Sequence, residues 1–95
     1  MYKDLSKLFS SLSDPTRLKI LKLLMDNKEL CVCHLMKNLD LSQSKVSRHL
    51  RYMYNAGIVE YRQEERWMYY SISSELSKEA KAILNMLKKI MNGSN

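Results

Sequence analysis

The chain has 95 residues, of which 45% are hydrophobic, so it can form one small domain over residues 1–95 with a modest core of its own. Its formal net charge of +6 favours a polyanionic partner, such as nucleic acid or an anionic membrane surface. No segment approaches the roughly 18 apolar residues that a membrane span needs, and the N-terminus lacks the apolar region of a signal peptide, so a cytoplasmic protein is predicted.

Two helices are predicted in the first part of the chain. Apolar residues at offsets of three and four indicate a short amphipathic helix from Leu5 to Leu12. Ser13-Asp14-Pro15 then supplies a capping side chain, followed by proline at the first helical position, where a missing N–H costs nothing. The helix from Pro15 to about Met25 is apolar over much of its circumference and is predicted to be a central core helix.

A third helix is predicted from Glu29 to Leu39, and a tight connection at Asp40-Leu41 leads into a fourth helix. Ser42 is the predicted N-cap of the fourth helix, and Gly57 lies where that helix should end. Three helices with a brief turn before the last are typical of a helix-turn-helix.

The fourth predicted helix has an apolar side that holds it to the core and a polar side that contains no acidic residue. Gln, Ser and Arg read base edges, whereas Lys and Arg neutralise phosphates, so this side offers what duplex DNA requires. An ordinary solvated face is the alternative, because charged helix faces are common. The predicted DNA-binding residues of the helix are Gln43, Ser44, Lys45, Ser47, Arg48, His49 and Arg51.

After Gly57 the sequence period changes from about 3.6 to 2, which predicts a β-hairpin around Glu64-Glu65. A hairpin after a recognition helix is a wing, and Arg62 and Arg66 near its tip could reach the phosphate backbone or the minor groove. The hairpin contains no glycine, so a two-residue primed turn would need unfavourable positive φ angles. We therefore expect a longer or irregular loop.

The segment from Glu75 to about Met91 has a heptad-like apolar pattern on a predicted last helix. This stripe is wider than a small core should need, so it is interpreted as a dimer seam that the first helix joins. The alternative is that the helix only covers its own domain. Residues 92–95 are predicted to form a tail.

Taken together, these motifs resemble the ArsR family of winged-helix metalloregulatory repressors over nearly the whole chain. The motifs are DPTRLKIL from Asp14, ELCVCHL from Glu29, LSQSKVSRHL from Leu41, AGIV from Ala56 and RWMYY from Arg66. The resemblance implies a mainly α fold with a β-hairpin wing, a winged helix-turn-helix. It further implies a homodimer, assembled through its first and last helices, that binds a palindromic operator in double-stranded DNA and is released by a thiophilic ion. No obligatory cofactor, membrane partner or small-molecule substrate is expected.

The same resemblance assigns Cys31 and Cys33 as the sensor of As(III) or the chemically similar Sb(III). The family's arsenic-type motif often has Asp at the position of His34 and a third Cys at that of Met36. A thioether is a poorer ligand for As(III) than a thiolate, so this segment alone cannot form a tris-thiolate site. Either a third donor comes from elsewhere, or the same DNA-binding fold senses Cu(I) or an oxidant through the two thiols. His34 could be a ligand, a surface residue or a helix-capping group, and a surface residue is favoured. Met36 is interpreted as a core residue. Either of them could contribute to a Cu(I) site.

The spacing of Cys31 and Cys33 suggests how a switch would work. Residues i and i+2 of a regular helix point about 200° apart, so both thiolates can face one ion only if the first turn of the third helix unwinds. That helix supports the fourth, so ion binding and DNA binding would favour different geometries.

Two other classes of function are weaker interpretations of the sequence. A thiol enzyme, with Cys31 or Cys33 as nucleophile and His34 or His49 as base, lacks the length for a substrate pocket and a Gly-rich loop for oxyanion donors. A winged-helix protein-interaction module would use the fold without DNA. Salt dependence distinguishes it, because phosphate contacts weaken steeply with salt.

Overall fold

The computed structural model describes residues 1–93. The elements in chain order are α1 (Tyr2–Ser11), α2 (Pro15–Asp26), β1 (Leu30–Cys31), α3 (Val32–Leu39), α4 (Gln43–Asn55), β2 (Val59–Glu64), β3 (Trp67–Ile72) and α5 (Lys78–Gly93). The strands form an antiparallel sheet in the order β1-β3-β2. The fold is a mainly helical winged helix-turn-helix in which β2 and β3 are the wing, so the predicted fold class is confirmed.

The core lies where α2, α3 and α4 meet the base of the wing, and α2 is central to it, as predicted. Each fully buried aliphatic side chain contributes about 1.5 to 3 kcal/mol relative to an exposed one. The fully buried large side chains are Ile20, Leu21, Leu35, Val46, Leu50, Met53 and Ile58. Val46, Leu50 and Met53 belong to α4, so the apolar side of that helix holds it to the core and its other side remains free.

The starts of α2 and α4 are fixed by their caps. The Asp14 carboxylate accepts a hydrogen bond of 3.1 Å from the backbone N–H of Arg17, and Pro15 follows it at the first helical position. Ser42 Oγ accepts a hydrogen bond of 3.3 Å from the backbone N–H of Lys45. Each cap satisfies one of the backbone donors that a helix leaves unpaired at its first turn.

The predicted third helix is a short strand followed by a shorter helix. Leu30 and Cys31 pair with Tyr70 and Tyr69 of β3, and α3 begins only at Val32. The prediction of a helix from Glu29 is therefore wrong at its start. Here β3 offers unpaired backbone groups to the segment, and tertiary pairing overrides a weak local helical preference.

The turn of the wing is tight, so the expected longer or irregular loop is wrong. Glu64 pairs with Trp67, and only Glu65 and Arg66 connect the strands. Glu65 adopts a φ of 57°, the left-handed region that glycine or asparagine normally occupies in such turns. The tight turn thus requires the positive φ angle that was predicted to be unfavourable, and Glu65 adopts it.

The last helix begins three residues later than predicted and continues through Gly93, so Asn92 and Gly93 are helical rather than part of a tail. The other two residues of the predicted tail, Ser94 and Asn95, lie outside the described residues. No helix within residues 1–93 is long and apolar enough to cross a membrane.

Candidate nucleic-acid interface and sulfur site

The polar side of α4 is directed away from the core. Lys45, Arg48 and Arg51 are exposed, as are Gln43 and Ser44. The helix contains no acidic residue, so its cations are not neutralised from within the helix. Ser47 and His49 are half-buried and lie at the margins of this surface.

His49 faces the beginning of α2. Its Nδ1 lies 3.3 Å from Nη1 of Arg17 and 3.9 Å from Oδ2 of Asp14. The hydrogen bond from the backbone N–H of Arg17 is the main cause that holds the pKa of Asp14 below its usual value. Burial opposes it, and the charges of Arg17 and His49 add smaller lowering effects. If His49 contacts DNA as predicted, it does so with Arg17 and Asp14 beside its Nδ1 atom.

Arg17 is a positioning residue that the sequence interpretation missed. Its guanidinium donates hydrogen bonds to the carbonyl oxygens of Ser11, at 2.8 Å, and Ser10, at 3.2 Å. It also lies over the ring of Tyr52, 4.2 Å from the ring centroid. Arg17 thus ties the end of α1 to α4. The available signal was a lone arginine among the apolar residues of the predicted core helix.

The two wing arginines have different surroundings. Arg62 donates to both carboxylate oxygens of Glu29, at 3.0 and 2.6 Å, and to Glu64 at 3.0 Å. Its hydrogen bonds to Glu29 raise its pKa and lower that of Glu29. Arg66 lies over Trp67, 5.6 Å from the ring centroid. A phosphate would therefore compete with two carboxylates for Arg62, whereas no ion pair in residues 1–93 involves Arg66.

The two cysteine sulfurs meet without any unwinding of α3. Cys31 is extended, with φ −69° and ψ 150°, and it is the N-cap residue of α3. Its Sγ accepts a hydrogen bond of 3.2 Å from the backbone N–H of Cys33, and the two Sγ atoms are joined in a disulfide. The expected conflict between a shared ion and a regular helix is therefore wrong, because only Cys33 is helical.

A ligating nitrogen of His34 lies close to both sulfurs, so that the three ligand atoms are within 4.8 Å of one another. Two sulfurs and an imidazole nitrogen suit a thiophilic ion once the disulfide is reduced. The favoured interpretation of His34 as a surface residue agrees with its exposure, and the alternative of a ligand role stays a prediction. The residue nevertheless lies at the sulfur site.

A groove of about 600 Å³ lies between the beginning of α3, α4 and the wing, and we call it the α4–wing groove. Both cysteines line it, together with Gln43, Ser47 and Arg51 of the predicted DNA-binding surface. Arg66 lines it from the wing. The sulfur site and part of the DNA-binding candidate surface therefore share one groove, an arrangement that the spacing of the motifs could not show.

The sulfur site is also connected to the wing through the backbone. Cys31 pairs with Tyr69 of β3, and Glu29, just before β1, forms the ion pair with Arg62 of β2. Arg62 in turn lies over the ring of Tyr69, 4.5 Å from its centroid. Cys31 thus contacts the wing through β3, and it also directly precedes α3.

Comparisons with known proteins agree with this architecture. Residues 14–61 match the family model described as bacterial regulatory protein, arsR family. The chain is 41% identical to the uncharacterized HTH-type transcriptional regulator MJ1325 of Methanocaldococcus jannaschii, over 82% of this chain and 88% of that protein. It is 40% identical to the arsenical resistance operon repressor of Escherichia coli, over 83% of this chain and 68% of that protein.

Among solved structures, HlyU from Vibrio cholerae is similar, with a TM-score of 0.81, 35% identity, and coverage of 94% of this chain and 92% of that one. The family model thus matches about half of the chain. The two relatives are 41% and 40% identical to it, and the solved structure shares its winged-helix fold. The chain belongs to the ArsR family of DNA-binding transcriptional regulators, which are not enzymes.

Proposed function

We propose that this chain is a homodimeric repressor whose hold on a palindromic DNA operator is released when As(III) or Sb(III) binds Cys31 and Cys33. The observation that carries the proposal is the α4–wing groove, in which both sulfurs lie beside Gln43, Ser47 and Arg51. The relative in Escherichia coli is named as an arsenical resistance operon repressor, which favours this class of inducer.

The proposed DNA surface combines base-reading and phosphate-binding side chains. Gln43, Ser44, Ser47, Arg48 and His49 would lie in the major groove, whose base edges offer a distinct pattern of donors and acceptors. Lys45 and Arg51 would neutralise phosphates, and Arg62 and Arg66 would reach the backbone or minor groove from the wing. The free side of α4, without a carboxylate, supports this assignment.

The proposed dimer interface is formed by α1 and α5. Both helices expose large apolar side chains: Tyr2 and Phe9 on α1, and Met86 and Ile90 on α5. Exposed apolar surface of this kind on two neighbouring helices marks an interaction site, and a second copy would cover it. A two-fold dimer would present two α4 helices to two half-sites, which explains why a palindrome is proposed.

The proposed ion site consists of the thiolates of Cys31 and Cys33, with the imidazole of His34 as a third donor. The distances among the three ligand atoms support this set, and His34 takes the role that a third thiolate would have. An ion held there would impose its own coordination geometry on Cys31, Cys33 and His34 beside the α4–wing groove. It would therefore displace DNA through the shared groove and through β1, rather than by unwinding α3.

The test is the affinity of the reduced protein for operator DNA with and without arsenite. In the parent protein arsenite should weaken binding at least tenfold, which corresponds to a coupling of about 1.4 kcal/mol. Cys31→Ser should bind DNA as the parent does but ignore arsenite, since serine can still cap α3. An equal arsenite response in Cys31→Ser contradicts the cysteine assignment. His34→Ala should weaken the response without abolishing it.

The disulfide favours a second candidate function, in which the same regulator senses an oxidant. Peroxide would take two electrons and two protons from the thiols, form the Sγ–Sγ bond and yield two water molecules. Comparison of arsenite, Cu(I) and peroxide on the reduced protein separates the candidates. Release by peroxide together with indifference to arsenite would replace the ion by the oxidant as inducer.

A further inference from the structure

The α4–wing groove has a lining that would suit an anionic guest. Arg51 enters it from α4 and Arg66 from the wing, and no carboxylate of the described residues lines it. Its walls also include Gln43, Tyr54 and Tyr61, which offer hydrogen-bonding groups and aromatic faces. The volume of about 600 Å³ is large enough for a molecule of tripeptide size.

The two cysteines that line this groove differ in exposure. Cys31 is 3% exposed, whereas Cys33 is an exposed residue. The buried sulfur also accepts the hydrogen bond from the backbone N–H of Cys33, which would stabilise negative charge on it. A nucleophile that enters the groove therefore meets Cys33, and Cys31 is the better placed leaving group.

We propose that the α4–wing groove binds an anionic low-molecular-weight thiol, of the glutathione class, that forms a mixed disulfide with Cys33. The thiolate of the small molecule attacks Sγ of Cys33, and a new S–S bond forms. The Cys31–Cys33 bond breaks, and its electron pair leaves with Sγ of Cys31, which then takes a proton from water. The small thiol is oxidised and Cys31 is reduced, so no further oxidant is needed.

The mixed disulfide would have two consequences for the regulator. It removes Cys33 as a ligand, so thiolation and ion binding exclude one another. It also fills the groove beside Gln43, Ser47 and Arg51 and should weaken operator binding, a consequence that rests on the proposed DNA-binding function. The covalent step itself does not depend on that function and can be measured without DNA.

A matched pair of single-cysteine variants tests the site. Cys31→Ser keeps only the exposed thiol, and Cys33→Ser keeps only the buried one. Each is incubated with glutathione disulfide, in which case one glutathione leaves as the free thiol, and mass spectrometry follows the gain of one glutathione. Cys31→Ser should react at least tenfold faster because of its accessibility. Equal rates would overturn the assignment to Cys33.

Two further arms test the recognition of charge and guard against misfolded variants. In the Cys31→Ser background, Arg66→Gln should slow glutathione disulfide about two- to fivefold and leave the cationic disulfide cystamine unslowed. If Arg66→Gln slows the reactions of both disulfides equally, the groove does not bind anions selectively. In the parent protein, treated with reduced glutathione and then quenched with acid, fragmentation should place the glutathione on Cys33, and its placement on Cys31 overturns the proposal.

A final experiment distinguishes failure of the proposed thiol site from failure of the proposed DNA-binding function. Operator affinity is compared for thiolated and unmodified Cys31→Ser. Thiolation that occurs at Cys33 but does not weaken operator binding supports the binding site and counts against the groove as part of the DNA surface. Failure of thiolation in a variant that binds operator normally overturns the thiol site and leaves the proposed repressor function intact.

Discussion

Asp14 illustrates how much positioning one side chain provides in a small domain. It caps α2 through the backbone N–H of Arg17, and its carboxylate lies 3.9 Å from Nδ1 of His49 on α4. Arg17 itself extends from this point to the end of α1 and to the ring of Tyr52. Three polar side chains, Asp14, Arg17 and His49, therefore link α4 to α1 and α2 in addition to its apolar packing.

The lowered pKa of Asp14 leads to a prediction about stability and pH. Because the pKa lies below 3.8 in the folded state, the ionised carboxylate stabilises the protein at neutral pH, and this contribution is lost as the pH falls through the folded pKa. Asp14→Ala should lower the free energy of unfolding by about 1 kcal/mol at neutral pH, since the cap is lost.

Asp14→Asn is the matched control, because asparagine caps helices about as well but does not titrate. Urea unfolding of the parent and of Asp14→Asn is measured between pH 7 and pH 2. The advantage of the parent should begin to shrink below about pH 4 and continue to shrink as the pH falls through the folded pKa. A difference between the two proteins that is independent of pH would show that the charge of Asp14 contributes nothing.

At the scale of elements, the sequence was sufficient wherever periodicity and capping act together. Asp14-Pro15 and Ser42 mark the starts of α2 and α4, and the change of period after Gly57 marks the wing. Strand β1 was not predictable, because two residues have no period and their partner Tyr69 comes 38 positions after Cys31. The α4–wing groove was not predictable either, because residues from three elements that are distant in the sequence form it.

The different surroundings of the wing arginines predict different effects on DNA binding. Arg66→Gln should reduce the slope of log affinity against log salt by about one, the value for one lost phosphate contact. Arg62→Gln should reduce it by less, because Glu29 and Glu64 already accept its hydrogen bonds. Lys45→Gln serves as the reference for a full phosphate contact on α4. An equal loss of slope for Arg62 and Arg66 would mean that the carboxylates release Arg62 on DNA.

The whole molecule has two surfaces of different character, one basic and one apolar. The free side of α4 carries cations and no carboxylate, whereas α1 and α5 expose apolar side chains, including Met86 at 65% and Ile90 at 61% exposure. Leu84 of the same helix is buried in the core, so α5 covers its own domain and has apolar surface left over. The helix thus covers its own domain, and its exposed apolar side chains leave the dimer seam as a prediction.

The proposed dimer predicts that Ile90→Glu weakens self-association. A carboxylate buried at an apolar interface has no partner and must be desolvated, so the dimer dissociation constant should rise at least tenfold. Analytical ultracentrifugation measures it, and Ile90→Met, which retains apolar surface, is the control. If Ile90→Glu associates as tightly as Ile90→Met, the interface lies elsewhere.

Because Cys31 caps α3, a substitution that keeps the cap can change the chemistry of the sulfur site without changing the fold. The position requires an atom that accepts a hydrogen bond from the N–H two residues ahead, and a serine hydroxyl does this at least as well as sulfur. A single exchange of oxygen for sulfur at this position would therefore break or complete the pair of sulfurs while the helix keeps its first turn. The proposed ion response could in this way be lost or gained in one substitution, without first losing a stable domain.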